Sequence, residues 1–327
     1  MEYSKQRIEW IDIARGILII LVVLGHNHIN IVFNVIINSF HMVAFFMLSG
    51  FTLKASEQIE TFIWKKCKRL LFPYFIFAFI MLAFQFLKTF IFSEAEFDLK
   101  SGLISIFIPI GGRDSTTTYW LWFFPCLFLA EIMSYIIIRA WKMIKATGII
   151  TFVGIIVLGE ESYQLSGRSS IIAILPIAIT FIILGYILKG NSTLIEKKRI
   201  LLIFSLIMFI VFVLTNWMYC KFVLGIDVVD LSHMRLGYWP LFMLSGLFGS
   251  LVICELAIIV KKNKILSSLG RDTMYYYGLH YEVQGAVGKL ISNVILRTIV
   301  IFMILYLVIR LYKKAKLFFR KMNMINI

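Results

Sequence analysis

The chain has 327 residues, 60% of them apolar and 16% charged, with a mean hydropathy of +0.89. Soluble domains are not that apolar, so the bilayer is the expected solvent. The formal charge of +15 suggests nucleic acid at first sight, but the cations flank apolar runs instead of forming one patch. A positive-inside bias accounts for them, and no nucleic-acid partner is expected. Cys67, Cys126, Cys220 and Cys254 form no CxxC pair, so neither a metal site nor a disulfide framework is predicted.

Lys5 and Arg7 precede the first apolar run, and no small-x-small cleavage signal follows it, which reads as an uncleaved first span. Apolar runs predict ten helices with cores near 11–30, 36–53, 70–87, 119–138, 148–159, 170–188, 200–219, 238–260, 273–290 and 295–311. The fifth is short for a hydrocarbon layer of about 30 Å and reads as tilted, partial or re-entrant. With the N-terminus inside, 24 of the 33 Lys and Arg fall in inner segments and 8 in outer ones, Arg15 counting apart. That excess predicts an all-α polytopic membrane protein of about ten spans with both termini cytoplasmic. The whole of 1–327 reads as one integral-membrane domain, with lipid as its main surroundings.

The first span carries Asp12, Arg15 and His26. Arg15 and His26 are eleven residues apart, which places them within roughly 20° on one helical stripe and about 16 Å apart along the axis. Asp12 is three residues before Arg15, close enough to pair. An arginine in a span is costly unless partnered, so this stripe is a candidate site facing a polar interior. Pairing with Asp12, snorkelling, or a packing role for His26 would explain each residue singly but not their alignment.

The second span begins SFHMVAFFMLSGF. It places His41 near its outer end at a depth like that of His26, and Ser49-Gly50 as a small pair suited to close helix packing. An inner loop ending WKKCKRLLFPY then concentrates Lys65, Lys66, Lys68 and Arg69 before Pro73. Cations at a helix entrance can hold phosphate, although ordinary positive-inside anchoring also fits. The outer loop of roughly 88–118, with Glu94, Glu96, Asp98 and GGRDSTTT, reads as a lid or acceptor-facing loop. WLWFFP at 120–125 reads as an interfacial aromatic belt. Glu131, Glu255 and Glu282 fall within spans and are expected to face a cavity or a partner. SLGRDTMYYYGLHYE places Arg271 and Asp272 at an inner helix start and His280 about two turns deeper.

These stretches resemble the membrane-bound acyltransferase family 3, in the style of sugar O-acetylases such as fucose 4-O-acetylase-like proteins. Arg15 and His26 match its R-x10-H motif. FHMVAFFMLSGF resembles its second helix, KRLLFPY its basic-to-proline entry to helix three, and SLGRDTMYYYGLH its late LGxxSxxIYxxH segment. The resemblance implies an acyl-CoA co-substrate, acetyl-CoA above all, with no permanently bound cofactor. It also implies a glycan hydroxyl as acceptor and a multi-pass place in a bacterial cytoplasmic membrane. On that basis His26 is the expected general base, with Arg15 and Asp12 holding a polar channel. Lys65, Lys66, Lys68 and Arg69 would take the CoA phosphates, and His41, Ser49 or His280 would position donor or acceptor. Transfer through an acyl-histidine is equally consistent. The competing readings are a polysaccharide or small-solute exporter and a non-catalytic partner in polysaccharide assembly.

Overall fold

The computed structural model describes residues 8–27, 29–92, 98–107, 118–143, 171–190 and 198–325. It is an all-α membrane protein without strands among these residues. Among the described residues, seven helical stretches are long and apolar enough to cross a membrane: Ile31–Thr52, Ile59–Thr89, Trp120–Trp141, Ile171–Gly190, Ile200–Leu224, Trp239–Val260 and Val294–Phe318. Three of the expected ten are not among them. The first span is a helix, α1 (Glu9–His26), but it carries Glu9, Asp12 and Arg15 in 18 residues. The ninth is only 16 residues long, about 24 Å. The fifth, 148–159, lies outside the described residues, as do Lys5, Arg7, Glu94, Glu96 and all of the GGRDSTTT run but Thr118.

The predicted second span is two helices, α2 (Ile31–Asn38) and α3 (His41–Thr52), separated by a turn at Ser39 and Phe40. The predicted inner loop before Pro73 is helical. It comprises α4 (Ile59–Lys66), a π-helical turn over Cys67–Leu71, and α5 (Phe72–Phe92). Pro73 removes one backbone donor and crowds the carbonyl four residues earlier, and the wider π turn accommodates it. This corrects the phosphate argument. Lys65, Lys66, Lys68 and Arg69 lie inside a helical run, so backbone N–H groups at a helix start do not assist them.

The chain continues through α6 (Leu99–Phe107), a 3₁₀ turn at Tyr119–Trp122, α7 (Phe123–Met143) and α8 (Ile171–Gly190). Then come α9 (Lys198–Tyr219), a π turn over Cys220–Leu224 and α10 (Trp239–Val260), followed by α11 (Lys264–Arg271), α12 (Thr273–Gly288) and α13 (Val294–Ile325). The WLWFFP segment is not a lipid-facing belt. Trp120, Leu121, Trp122 and Phe124 are buried in the bundle.

Two glycine contacts set the bundle's geometry. A Cβ on Gly50 of α3 would collide with the Ile182 carbonyl oxygen of α8, and one on Gly185 with that of Met47. The small-residue expectation at Ser49-Gly50 thus has a defined partner. Likewise a Cβ on Gly16 would strike the Leu266 carbonyl and one on Gly270 the Asp12 carbonyl. That pairing runs α11 antiparallel to α1, backbone against backbone, beside Arg15.

Candidate active site

A cavity of about 790 Å³ opens at the Asp12 end of α1, within the usual range of small-molecule sites. Its cations are Arg15, Lys54, Lys65, Lys66, Arg69, Lys189 and Arg271, against the carboxylates of Asp12, Glu57 and Glu131. Its apolar wall includes Phe45, Phe62, Phe123, Phe124, Leu127 and Tyr277, and Ser49 lies among the lining residues. The space therefore combines a surplus of positive charge with an aromatic interior. An anionic group would be attracted at one side and an apolar or amide-rich chain accommodated at the other.

The four clustered cations do not act alike. Lys66 donates to Glu131 Oε1 at 2.7 Å, and the two side chains are only 10% and 4% exposed. That buried pair ties the end of α4 to α7. Lys65 pairs with Glu57 at 2.8 Å but is 52% exposed, so water screens it strongly. Lys68 is not among the cavity-lining residues, and its ammonium sits 4.8 Å from the centre of the Trp64 ring. Arg69 faces the cavity.

His26 stands elsewhere. It closes α1 at an exposed position, with its ring 5.2 Å from that of His280 and 6.3 Å from that of Tyr281. Tyr281 stacks on Trp120 at 4.1 Å. The turn is tied down from two sides. Gln284 Nε2 donates to the His26 carbonyl, and Arg297 donates to the Asn27 carbonyl. Asn27 Nδ2 in turn donates to Thr298 Oγ1 at 2.7 Å. Tyr277, His280, Tyr281 and Gln284 recur at helical spacing, so one face of α12 seats the end of α1.

Arg15 lines the cavity and His26 is not among its lining residues, so the expected stripe between them does not border one space. Aromatic rings cluster around Phe123 and Tyr277, which line the cavity. Phe123 meets Tyr277 at 5.5 Å, Phe45 at 5.7 Å and Phe46 at 5.1 Å between ring centres. Tyr277 Oη also donates to the Trp120 carbonyl at 2.5 Å. The Tyr277 carbonyl accepts a hydrogen bond from His280 Nδ1 at 2.8 Å.

His41 is buried, and its Nδ1 donates to the Ile37 carbonyl at 2.7 Å. It is within electrostatic range of His26 and Asp230 but does not line the cavity. Asp230 belongs to the connection between the π turn and α10. Burial would raise its carboxyl, but hydrogen bonds from His233 and Ser232 outweigh that and hold it down at about 2. Asp98 caps α6, and its carboxyl is lowered first by the Ser101 hydroxyl. Of the intramembrane carboxylates, Glu131 holds Lys66 and Glu282 pairs with Lys88 at 2.7 Å. Glu255 is buried.

Sequence reasoning did not find the Lys66–Glu131 pair, nor the contacts of Tyr281, Gln284 and Arg297 with the end of α1. The only available signal was the helical spacing of Tyr277, His280 and Gln284 in a single run.

The fold and this cavity define a polytopic membrane protein with a small-molecule-sized site. An acyltransferase-domain family model matches residues 8–311, and the chain belongs to membrane acyltransferase family 3. No curated protein and no solved structure matches it.

Proposed function

We propose that the protein transfers an acyl group, most simply acetyl, from cytoplasmic acyl-CoA to a hydroxyl of an envelope or exported glycan. The observation that carries this reading is the cavity. Its cationic rim suits the phosphates of the donor, and its aromatic depth suits the pantetheine arm. Arg69, Lys65 and Arg15 hold the phosphates in this reading, while Lys66 acts as an anchor neutralised by Glu131. Asp12 and Ser49 border the same space and help position the arm. The thioester reaches His26 by parting the Phe123–Tyr277 ring contact.

His26 then takes the proton of the acceptor hydroxyl as its oxygen bonds to the acyl carbon. The carbon–sulfur bond breaks, and the leaving thiolate recovers the proton from His26. His26 and the outer ends of the helices belong to the acceptor side, in a bacterial cytoplasmic membrane with both termini inside. Purified protein should release thiol from acetyl-CoA in a way that depends on a glycoside acceptor. A folded His26→Ala variant that transfers at the parental rate overturns the assignment of the base. Envelope glycans from cells with and without the protein should differ by one acetyl mass on a defined sugar.

A further inference from the structure

His280 has a defined tautomer. Its Nδ1 lies 2.8 Å from the Tyr277 carbonyl oxygen, which can only accept, so Nδ1 carries the hydrogen. In the neutral ring, Nε2 is then a bare lone pair. The residue is 0% exposed, and among the described residues Nε2 has no hydrogen-bond partner. A buried acceptor left unmade is costly, and such atoms are commonly reserved for a group that arrives or turns toward them. The neighbouring ring is His26, with centres 5.2 Å apart and planes inclined by 46°. The two rings are not hydrogen-bonded as they stand, but at that spacing a turn of the exposed His26 side chain brings one of its nitrogens to Nε2.

Several described groups lie around His26. From α12 it faces His280 and Tyr281, with Gln284 bonded to its carbonyl. From α13, Arg297 is directed to the Asn27 carbonyl, and Glu282 of α12 is engaged by Lys88 of α5. His41 of α3 lies within electrostatic range.

We propose that His280 is the positioning residue of the site: its Nε2 accepts the hydrogen on one nitrogen of His26, so that the other presents its lone pair to the acceptor hydroxyl. The inference rests on the acyl-transfer reading above and deepens it. During transfer the acceptor's proton moves to the nitrogen of His26 that faces the hydroxyl, giving an imidazolium whose opposite N–H is bonded to His280. The thiolate takes the first proton back when the carbon–sulfur bond breaks. His280 keeps its own hydrogen on the Tyr277 carbonyl throughout and neither gains nor loses a proton.

Two arms test this on the full chain in lipid nanodiscs. In ¹⁵N-histidine-labelled protein, His280 should show a protonated Nδ1 and a bare Nε2. A through-hydrogen-bond nitrogen–nitrogen coupling to His26 should be present and vanish in His280→Gln. A hydrogen on Nε2, or no coupling, overturns the proposal whether or not an acceptor has been identified. In turnover with acetyl-CoA and a panel of methyl glycosides, His280→Phe keeps the ring volume but removes the acceptor atom. It should lower kcat about 10²-fold, the scale of positioned proton transfer, with the KM for acetyl-CoA within about twofold. His280→Gln, whose amide oxygen can accept, should recover about tenfold of that loss. Recovery by Phe and not by Gln would make the role one of packing and overturn the inference. If His26→Ala abolishes transfer while His280→Phe does not, this inference falls alone; if His26→Ala keeps full activity, the acyl-transfer assignment of His26 falls.

Discussion

Replacing Lys66 with methionine asks whether this cation anchors the bundle or binds the donor. Its Nζ is 2.7 Å from Glu131 Oε1, and the side chains are 10% and 4% exposed. Glu131 Oε2 has no hydrogen-bond partner. An exposed pair would contribute about 0.2–1 kcal/mol. Breaking a pair this enclosed leaves an uncompensated carboxylate, and the expected loss is about 3–5 kcal/mol. The contact of the ammonium with the Phe62 ring, 5.2 Å from its centre, is lost as well. The double variant Lys66→Met with Glu131→Leu removes both charges and keeps similar volume. It should regain most of that loss, since apolar replacement of a buried pair is often neutral or stabilising. Thermal unfolding of the purified full chain, as a double-mutant cycle, measures the coupling. The double variant should also keep its KM for acetyl-CoA within about threefold, because a charge already neutralised contributes little to binding an anion. A single variant as stable as the parent refutes the anchoring argument. A double variant that folds well but loses tenfold or more in donor KM shows that Lys66 binds phosphate after all.

Arg69→Ala should raise the KM for acetyl-CoA by about tenfold, the scale of one charge-assisted hydrogen bond. Lys68→Ala, acting over Trp64 instead of in the cavity, should change it less than twofold; equal effects would remove the distinction drawn between them. Gly270→Ala forces α11 off α1 at the Asp12 carbonyl, where neither backbone can yield by a rotamer change. It should cost about 3 kcal/mol in an unfolding measurement, the upper end of overpacking, and a stable variant would refute the close approach. Asp230, held at about 2 by hydrogen bonds from His233 and Ser232 that outweigh its burial, should stabilise its connection above the unfolded carboxyl value of about 4. Because its folded value is depressed, that contribution is lost as pH falls from about 4 toward 2. With the side chain 38% exposed, solvent screening leaves about 1 kcal/mol. Asp230→Asn should remove this pH dependence from unfolding curves, and an unchanged curve would contradict it.

Much of the architecture was readable along the chain because membrane helices declare themselves by local hydropathy and length. The cation count suggested an orientation, and the small pair at Ser49-Gly50 pointed to close packing. The site was readable in part. Asp12, Arg15, Ser49, Lys65, Lys66 and Arg69 do share one cavity. Lys68 is set apart because the helical run through residue 66 and the π turn at Cys67–Leu71 fix which cations face inward. A loop in that place carries no such constraint.

Helical periodicity alone put Arg15 and His26 on one stripe, and hydropathy put that stripe in a membrane. Only the tertiary structure decided that they do not border one cavity. The ring cluster of Phe45, Phe123 and Tyr277 comes from three helices and has no signature in any one of them. The Lys66–Glu131 pair joins residues 65 apart, and the Gln284 bond to His26 joins residues 258 apart. The close approaches of α1 to α11 and of α3 to α8, which glycines at 16, 50, 185 and 270 permit, are likewise set between distant segments. Local sequence sets each helix's face; the distance between faces is set by the residues of the other helix.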